Sequence, residues 1–133
     1  TLQSIHHTTP AHVDAISMQG SDDAVVCWVP LISMTEEHGF LEVSPKTHIL
    51  DHSVKDLKDG FGNVDEDLFN FEPVEVKKGD VLIFNSNLVH RSGNLQNDKV
   101  TRWSAHFRFN NMYDERFITN NYPHPYEYRN IEL

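Results

Sequence analysis

Arg102-Trp103-Ser104-Ala105-His106-Phe107-Arg108-Phe109 is the stretch on which the fold turns. In an extended strand, successive side chains point to opposite faces. One face of this run carries Arg102, Ser104, His106 and Arg108; the other carries Trp103, Ala105, Phe107 and Phe109. That pattern fits a sheet edge whose polar face meets water. It also fits a barrel wall with a polar cavity inside and other elements packed outside. Trp103, Phe107 and Phe109 are large for a bare outer face, so this face is expected to meet another element or to drive homo-oligomerisation.

Further strands flank this one, with Thr101 to Phe109 the cleanest of the set. Ala24 to Ile32 is almost continuously apolar, as a strand buried on both faces would be. Phe40-Leu41-Glu42-Val43 follows the turn-like Glu37-His38-Gly39, and Val74-Glu75-Val76 alternates. Lys77-Lys78-Gly79-Asp80 then turns into Val81-Leu82-Ile83-Phe84. The polar stretch His52 to Phe71 is long enough for a short helix or a lid. The tail from Asn110 reads as an ordered loop or extended arm. Many short strands divided by turns predict an all-β sandwich or barrel.

The bulk composition narrows the function. With 133 residues, 38% apolar and 23% charged, residues 1–133 read as a single globular domain. A formal charge of −9 argues against nucleic acid or an anionic membrane as partner. No run approaches the roughly 20 apolar residues of a membrane span. The one cysteine, Cys27, forbids an internal disulfide or a cysteine cage for zinc. It reads as a packing residue, and its reduced state fits a cytoplasmic location.

His12-Val13-Asp14 offers an imidazole and a carboxylate to one side of a strand. By itself the triplet is close to a chance event among nine histidines and eleven aspartates. Its context is His90, placed six residues beyond the buried strand that ends at Phe84. A second histidine on a neighbouring strand would complete two histidines and one carboxylate on one face of a metal. That set leaves three positions open, the arrangement of non-haem iron(II) oxygenases. An arginine suits the distal carboxylate of a bound 2-oxo acid, because its planar fork makes two parallel hydrogen bonds. Arg102 and Arg108 both lie on the polar face and compete for that role. Ser92 reads from the sequence alone as a turn residue. His106 shares the face and could line the cavity; Arg91 and Arg116 read as solvated.

From about Ala11 to Phe109 the chain resembles the phytanoyl-CoA dioxygenase family of Fe(II)/2-oxoglutarate oxygenases. The matching pieces are His12-Val13-Asp14, Val26 to Leu31, Glu37 to His48, Gly79 to Phe84, His90-Arg91-Ser92-Gly93-Asn94 and Arg102. Tyr122-Pro123-His124-Pro125-Tyr126 resembles the tails of some members more loosely. The resemblance implies a double-stranded β-helix, a cupin-like jelly roll, with few helices because the family's usual N-terminal helical region is missing. It implies Fe(II) on His12, Asp14 and His90, and 2-oxoglutarate held by Arg102 with Ser92. Trp28 is implied as a pocket wall, O2 as the oxidant and a small organic molecule as substrate, with no separate catalytic acid or base.

Asp14 stands where halogenating members lack a carboxylate, so the resemblance points to hydroxylation with succinate and CO2 as co-products. Only eleven residues precede His12, so the domain is expected to be partial. The spacing from His90 to Arg102 is about one residue longer than in similar members. Two other readings compete. One is a non-oxidative lyase or isomerase on another divalent metal; the other is a catalytically inactive metal-binding domain.

Overall fold

The computed structural model describes residues 8–50, 55 and 62–121. Among the described residues, eight strands form two antiparallel sheets. In chain order they are β1 (His12–Val13), β2 (Val25–Pro30), β3 (Leu41–Val43), β4 (Gly62–Asn63), β5 (Glu72–Val74), β6 (Leu82–Asn85), β7 (His90–Ser92) and β8 (Ser104–Phe109). The larger sheet has the order β4-β1-β7-β3-β5 and the smaller β6-β2-β8. The chain passes between the sheets five times, from β1 to β2, β2 to β3, β5 to β6, β6 to β7 and β7 to β8. This is the expected jelly roll. Among the described residues, two short α-helices accompany it, α1 (Asp14–Met18) and α2 (Glu115–Thr119).

The core lies between the sheets. Val26 and Trp28 of β2 and Phe84 of β6 pack with Leu41 of β3 and with Met18, Ala24, Met34 and Val76, all buried. A second cluster, Ala11, Val13, Val64 and Val89, closes the end near β1 and β4. Pro73 interrupts β5 without penalty because β5 is a sheet edge, where a missing N–H breaks no ladder. At the turn into β6, Gly79 adopts φ +103, and Asp80 accepts the Lys77 amide at 2.8 Å. A side chain at Gly79 would strain this turn.

Several expectations shift. β2 is buried on one face only: Val26, Trp28 and Pro30 are buried, whereas Val25, Cys27 and Val29 are half-buried. Cys27 therefore sits on the less covered face. The strand expected from Thr101 starts at Ser104, which pairs with Pro30, the last residue of β2. Pro30 ends the regular pairing, although the Leu31 amide still reaches the Trp103 carbonyl at 2.9 Å. The tail is not all loop: α2 forms where Asp114 caps the Phe117 amide at 3.1 Å and Phe117 is buried. Within His52 to Phe71, the described residues hold β4 and a 3-10 turn over Glu66–Leu68, and no α-helix. Much of the expected lid, and Tyr122 to Tyr126, lie outside the described residues, as do His6, His7, His52 and His124.

Candidate metal and co-substrate site

β1 and β7 are neighbours, and His12 stands directly opposite His90 in their register. Side chains so paired project to the same face, and the two imidazole centroids lie 4.2 Å apart. The Phe84 ring packs edge-on to His90 at 4.9 Å. Each histidine is oriented in the same way. His12 Nδ1 lies 2.7 Å from the Pro10 carbonyl oxygen, and His90 Nδ1 lies 2.9 Å from that of Leu88. A carbonyl can only accept, so Nδ1 carries the proton and Nε2 keeps its lone pair for a metal.

Asp14 reaches the site differently from the strand geometry expected. β1 ends at Val13, and Asp14 is the first residue of α1, whose Ala15 amide donates to the Ser86 carbonyl at 3.0 Å. Its carboxylate nevertheless meets both imidazoles. Oδ1 is 3.9 Å from His12 Nε2, and Oδ2 is 3.8 Å from His90 Nε2. One ligand atom from each of the three residues lies within 4.8 Å of the others. All three residues are buried, Asp14 completely.

The donor set fits a divalent cation. Asp14 Oδ1 accepts from Arg108 Nη2 at 3.0 Å, but Oδ2 is buried with no hydrogen-bond partner. A buried carboxylate oxygen left in that state is destabilising unless a cation meets it. Burial, with a smaller contribution from His90, lowers the His12 pKa to about 4. Burial likewise lowers the pKa of His90, against the pull of Asp14. For Asp14, burial pushes the carboxyl up, but His90 and Arg108 outweigh it and hold the group below the usual carboxylate range. Near neutral pH the site therefore presents two neutral imidazoles and one carboxylate, the protonation states that ligate metal.

A cavity of about 280 Å³ opens beside the cluster, lined by His12, His90, Trp28, Arg102, His106 and Arg108, among others. Arg102 lies just before β8. Its Nη2 donates to Ser92 Oγ at 2.6 Å and its Nη1 to the Gly39 carbonyl at 3.0 Å. Ser92 is thus tied to Arg102 rather than serving only as a turn residue. Gly39 permits the second contact: at φ +66, a Cβ there would lie 2.5 Å from the Gly93 carbonyl oxygen. Burial lowers the Arg102 pKa from its ordinary value. Trp28 forms a wall, with its ring edge-on to His106 at 6.2 Å. Dehydration on the cavity side and the charge of Arg108 lower the His106 pKa to about 4, although the residue as a whole stays exposed.

Two arginines have partners that the sequence does not show. Arg108, the rival for the co-substrate, is engaged with Asp14. Arg91 is not simply solvated: Nε donates to Glu42 at 2.6 Å, Nη1 to Glu66 at 3.1 Å, and its guanidinium lies 4.1 Å above the Phe71 ring. Arg116 pairs with Asp22 on the surface. Thr47 escaped notice. It is buried, donates to the Ser44 carbonyl at 2.8 Å and accepts the Val89 amide at 2.9 Å, which fixes the backbone just before His90. Its position after Pro45-Lys46 was the only local signal. The Pro10 and Leu88 carbonyls are backbone groups and leave no trace in residue type.

The phytanoyl-CoA dioxygenase (PhyH) family model matches residues 3–103, and the chain belongs to that family. Among solved structures it is similar to the non-heme alpha ketoglutarate dependent epimerase SnoN from nogalamycin biosynthesis, with 24% identity and a TM-score of 0.60 over 76% of this chain. The alpha ketoglutarate dependent carbocyclase SnoK from nogalamycin biosynthesis is also similar, with 24% identity and a TM-score of 0.56 over 74% of this chain. EctD from S. alaskensis, solved with 2-oxoglutarate and 5-hydroxyectoine, has 22% identity and a TM-score of 0.54 over 78% of this chain. The matches cover 40%, 41% and 38% of those chains respectively, so this chain spans about two fifths of their length. No helix among the described residues is long and apolar enough to cross a membrane.

Proposed function

We propose that the chain forms the metal and co-substrate core of an Fe(II)- and 2-oxoglutarate-dependent dioxygenase that hydroxylates a small organic substrate. The observation that carries this reading is the buried His12, Asp14 and His90 cluster, with Asp14 Oδ2 unpartnered, opening onto a cavity that also holds Arg102. His12 Nε2, His90 Nε2 and Asp14 would hold the iron, leaving three positions for a chelating 2-oxo acid and O2. When bound, that assembly supplies the oxidant: 2-oxoglutarate, O2 and a C–H bond give succinate, CO2 and a hydroxylated product.

The chain's own residues position and shield. Arg102 offers its guanidinium plane to the distal carboxylate, and Ser92 Oγ and the Gly39 carbonyl keep that plane fixed. Trp28 and Leu41 line the cavity and limit water beside the ligands. His106 sits opposite Trp28 and bounds the space for the reacting carbon. None of these groups is required as a separate acid or base. The epimerase SnoN and the carbocyclase SnoK illustrate other outcomes of such chemistry. Hydroxylation is favoured because Asp14 occupies the third ligand position, where a halogenase would need room for halide.

Incubating the full chain with Fe(II), 2-oxoglutarate and O2 tests the proposal through succinate formation. We expect succinate that depends on all three, and its loss in His90→Ala. Absence of succinate, with 2-oxoglutarate binding unaltered in His90→Ala, would overturn the oxygenase reading in favour of a lyase or isomerase. No rise in melting temperature at saturating 2-oxoglutarate with metal present would favour an inactive domain.

A further inference from the structure

The two arginines of the β8 run both cross from the smaller sheet to the larger, at opposite ends of the cavity. Arg102 ties to Ser92 of β7, and Arg108 ties to Asp14 just after β1. They are not equivalent. The Arg102 contacts are a hydroxyl and a carbonyl, whereas Arg108 meets a carboxylate that is fully buried and shared with two imidazoles. Arg108 Nη2 occupies Oδ1 and leaves Oδ2 as the buried oxygen with no hydrogen-bond partner. We infer that Arg108 is a positioning residue for the metal: it holds the Asp14 carboxylate so that Oδ2 alone is offered, as a one-oxygen ligand.

The consequence is stereochemical. A carboxylate that binds through both oxygens fills two coordination positions; with two histidines, only two would then remain. A chelating 2-oxo acid would take both and leave none for O2. Carboxylates that ligate metal are commonly fixed by hydrogen bonds from a second residue, and loss of such partners weakens metal binding roughly 10- to 100-fold. Arg108 is suited to this by its planar fork and its half-buried place opposite Val26 of β2. Lysine would keep the charge but not the planar geometry.

This inference rests on the triad reading, and the test separates the two. The full chain is titrated with Co(II), whose visible absorption reports coordination number, as wild type, Arg108→Met, Arg108→Lys and His90→Ala. Expected are a 10- to 100-fold weaker Co(II) affinity in Arg108→Met, an altered band shape as Asp14 becomes free to chelate, and an intermediate affinity in Arg108→Lys. Circular dichroism reports whether each variant folds; if the Met variant does not, the Lys variant decides. Wild-type affinity and spectrum in the folded Arg108 variants, with binding lost in His90→Ala, would overturn the inference and leave the triad standing. Wild-type Co(II) binding in His90→Ala would overturn the triad itself. Unchanged Co(II) binding in Arg108→Met with loss of 2-oxoglutarate binding would make Arg108 a co-substrate clamp and also overturn the inference.

Discussion

The two faces of the β6-β2-β8 sheet come from the same three strands and have opposite characters. Its inner face sets Trp28 and Val26, almost wholly buried, beside His106 and Arg108 at the cavity. Its outer face sets Ile83 (62% exposed), Phe107 (53%) and Phe109 (54%) around the half-buried Cys27, with Trp103 (61%) at the strand's start. The inner face mixes polar and apolar groups: Arg108 reaches Asp14 across the cavity, and His106 meets the edge of Trp28 within the sheet. The outer face is nearly uniform in hydrophobicity, and among the described residues nothing covers these aromatics. One face is specified by chemistry, then, and the other by bulk. A uniform apolar surface of this kind ordinarily belongs against another element or another molecule.

The sharpest test of this contrast is Trp28→Ala on the inner face, expected to lower the free energy of unfolding by about 3–5 kcal/mol in urea denaturation. A loss below about 1 kcal/mol would mean that the inner face is not the packed one. Comparable in size is a pH effect on the inner side. His12 and His90 have pKa values lowered by burial, so the unfolded chain binds protons that the folded chain refuses. Stability of the metal-free chain should be full above pH 6.5 and should decline as pH falls toward the folded value, about 4 for His12. The slope is about 1.4 kcal/mol per pH unit for each such histidine. A flat stability between pH 6.5 and 4 would contradict the buried, neutral imidazoles.

Thr47→Val is smaller. It leaves the buried Val89 amide unpaired and should cost about 1–3 kcal/mol, with a parallel weakening of Co(II) binding through His90. Smallest is the outer face: Phe107→Ser is expected to change unfolding free energy by less than about 0.5 kcal/mol. A cost of several kcal/mol there would show that the face is covered in the folded protein, and the comparison would fail. Sedimentation of the same variant would then say whether the cover is a second copy.

How much of this was legible in the sequence depends on the distance over which each contact acts. Alternation from Arg102 to Phe109 is local, and both its faces could be read directly, although Pro30 trimmed the strand to Ser104. Sequence alone picks out His12, Asp14, His90, Arg102 and Ser92; the structure lines one cavity with His12, His90, Arg102 and Ser92 and sets the buried Asp14 carboxylate against the two imidazoles. The strand geometry assumed for Asp14 was not right, because nothing in His12-Val13-Asp14 signals that the chain turns into a helix after Val13. Arg108 is placed on the correct face, but its contact with Asp14 could not be read from the sequence. Its partner lies 94 residues away, and only the docking of the two sheets brings them together. The half-exposed outer side of β2 misled for the opposite reason. An apolar run looks the same whether its second face is covered or bare.

The carbonyls of Pro10 and Leu88 have one further consequence, for the proton inventory of metal uptake. With both Nδ1 protons committed to those carbonyls and Asp14 already ionised, the pocket holds no proton that an incoming cation must expel near neutrality. Arg108 already cancels the charge of Asp14. A divalent ion would thus add two positive charges to a site where Arg102 is cationic as well. The dianion of a 2-oxo diacid is the natural counter-charge, so cation and co-substrate should each tighten the other, and together they would enter this site as an electrically neutral pair.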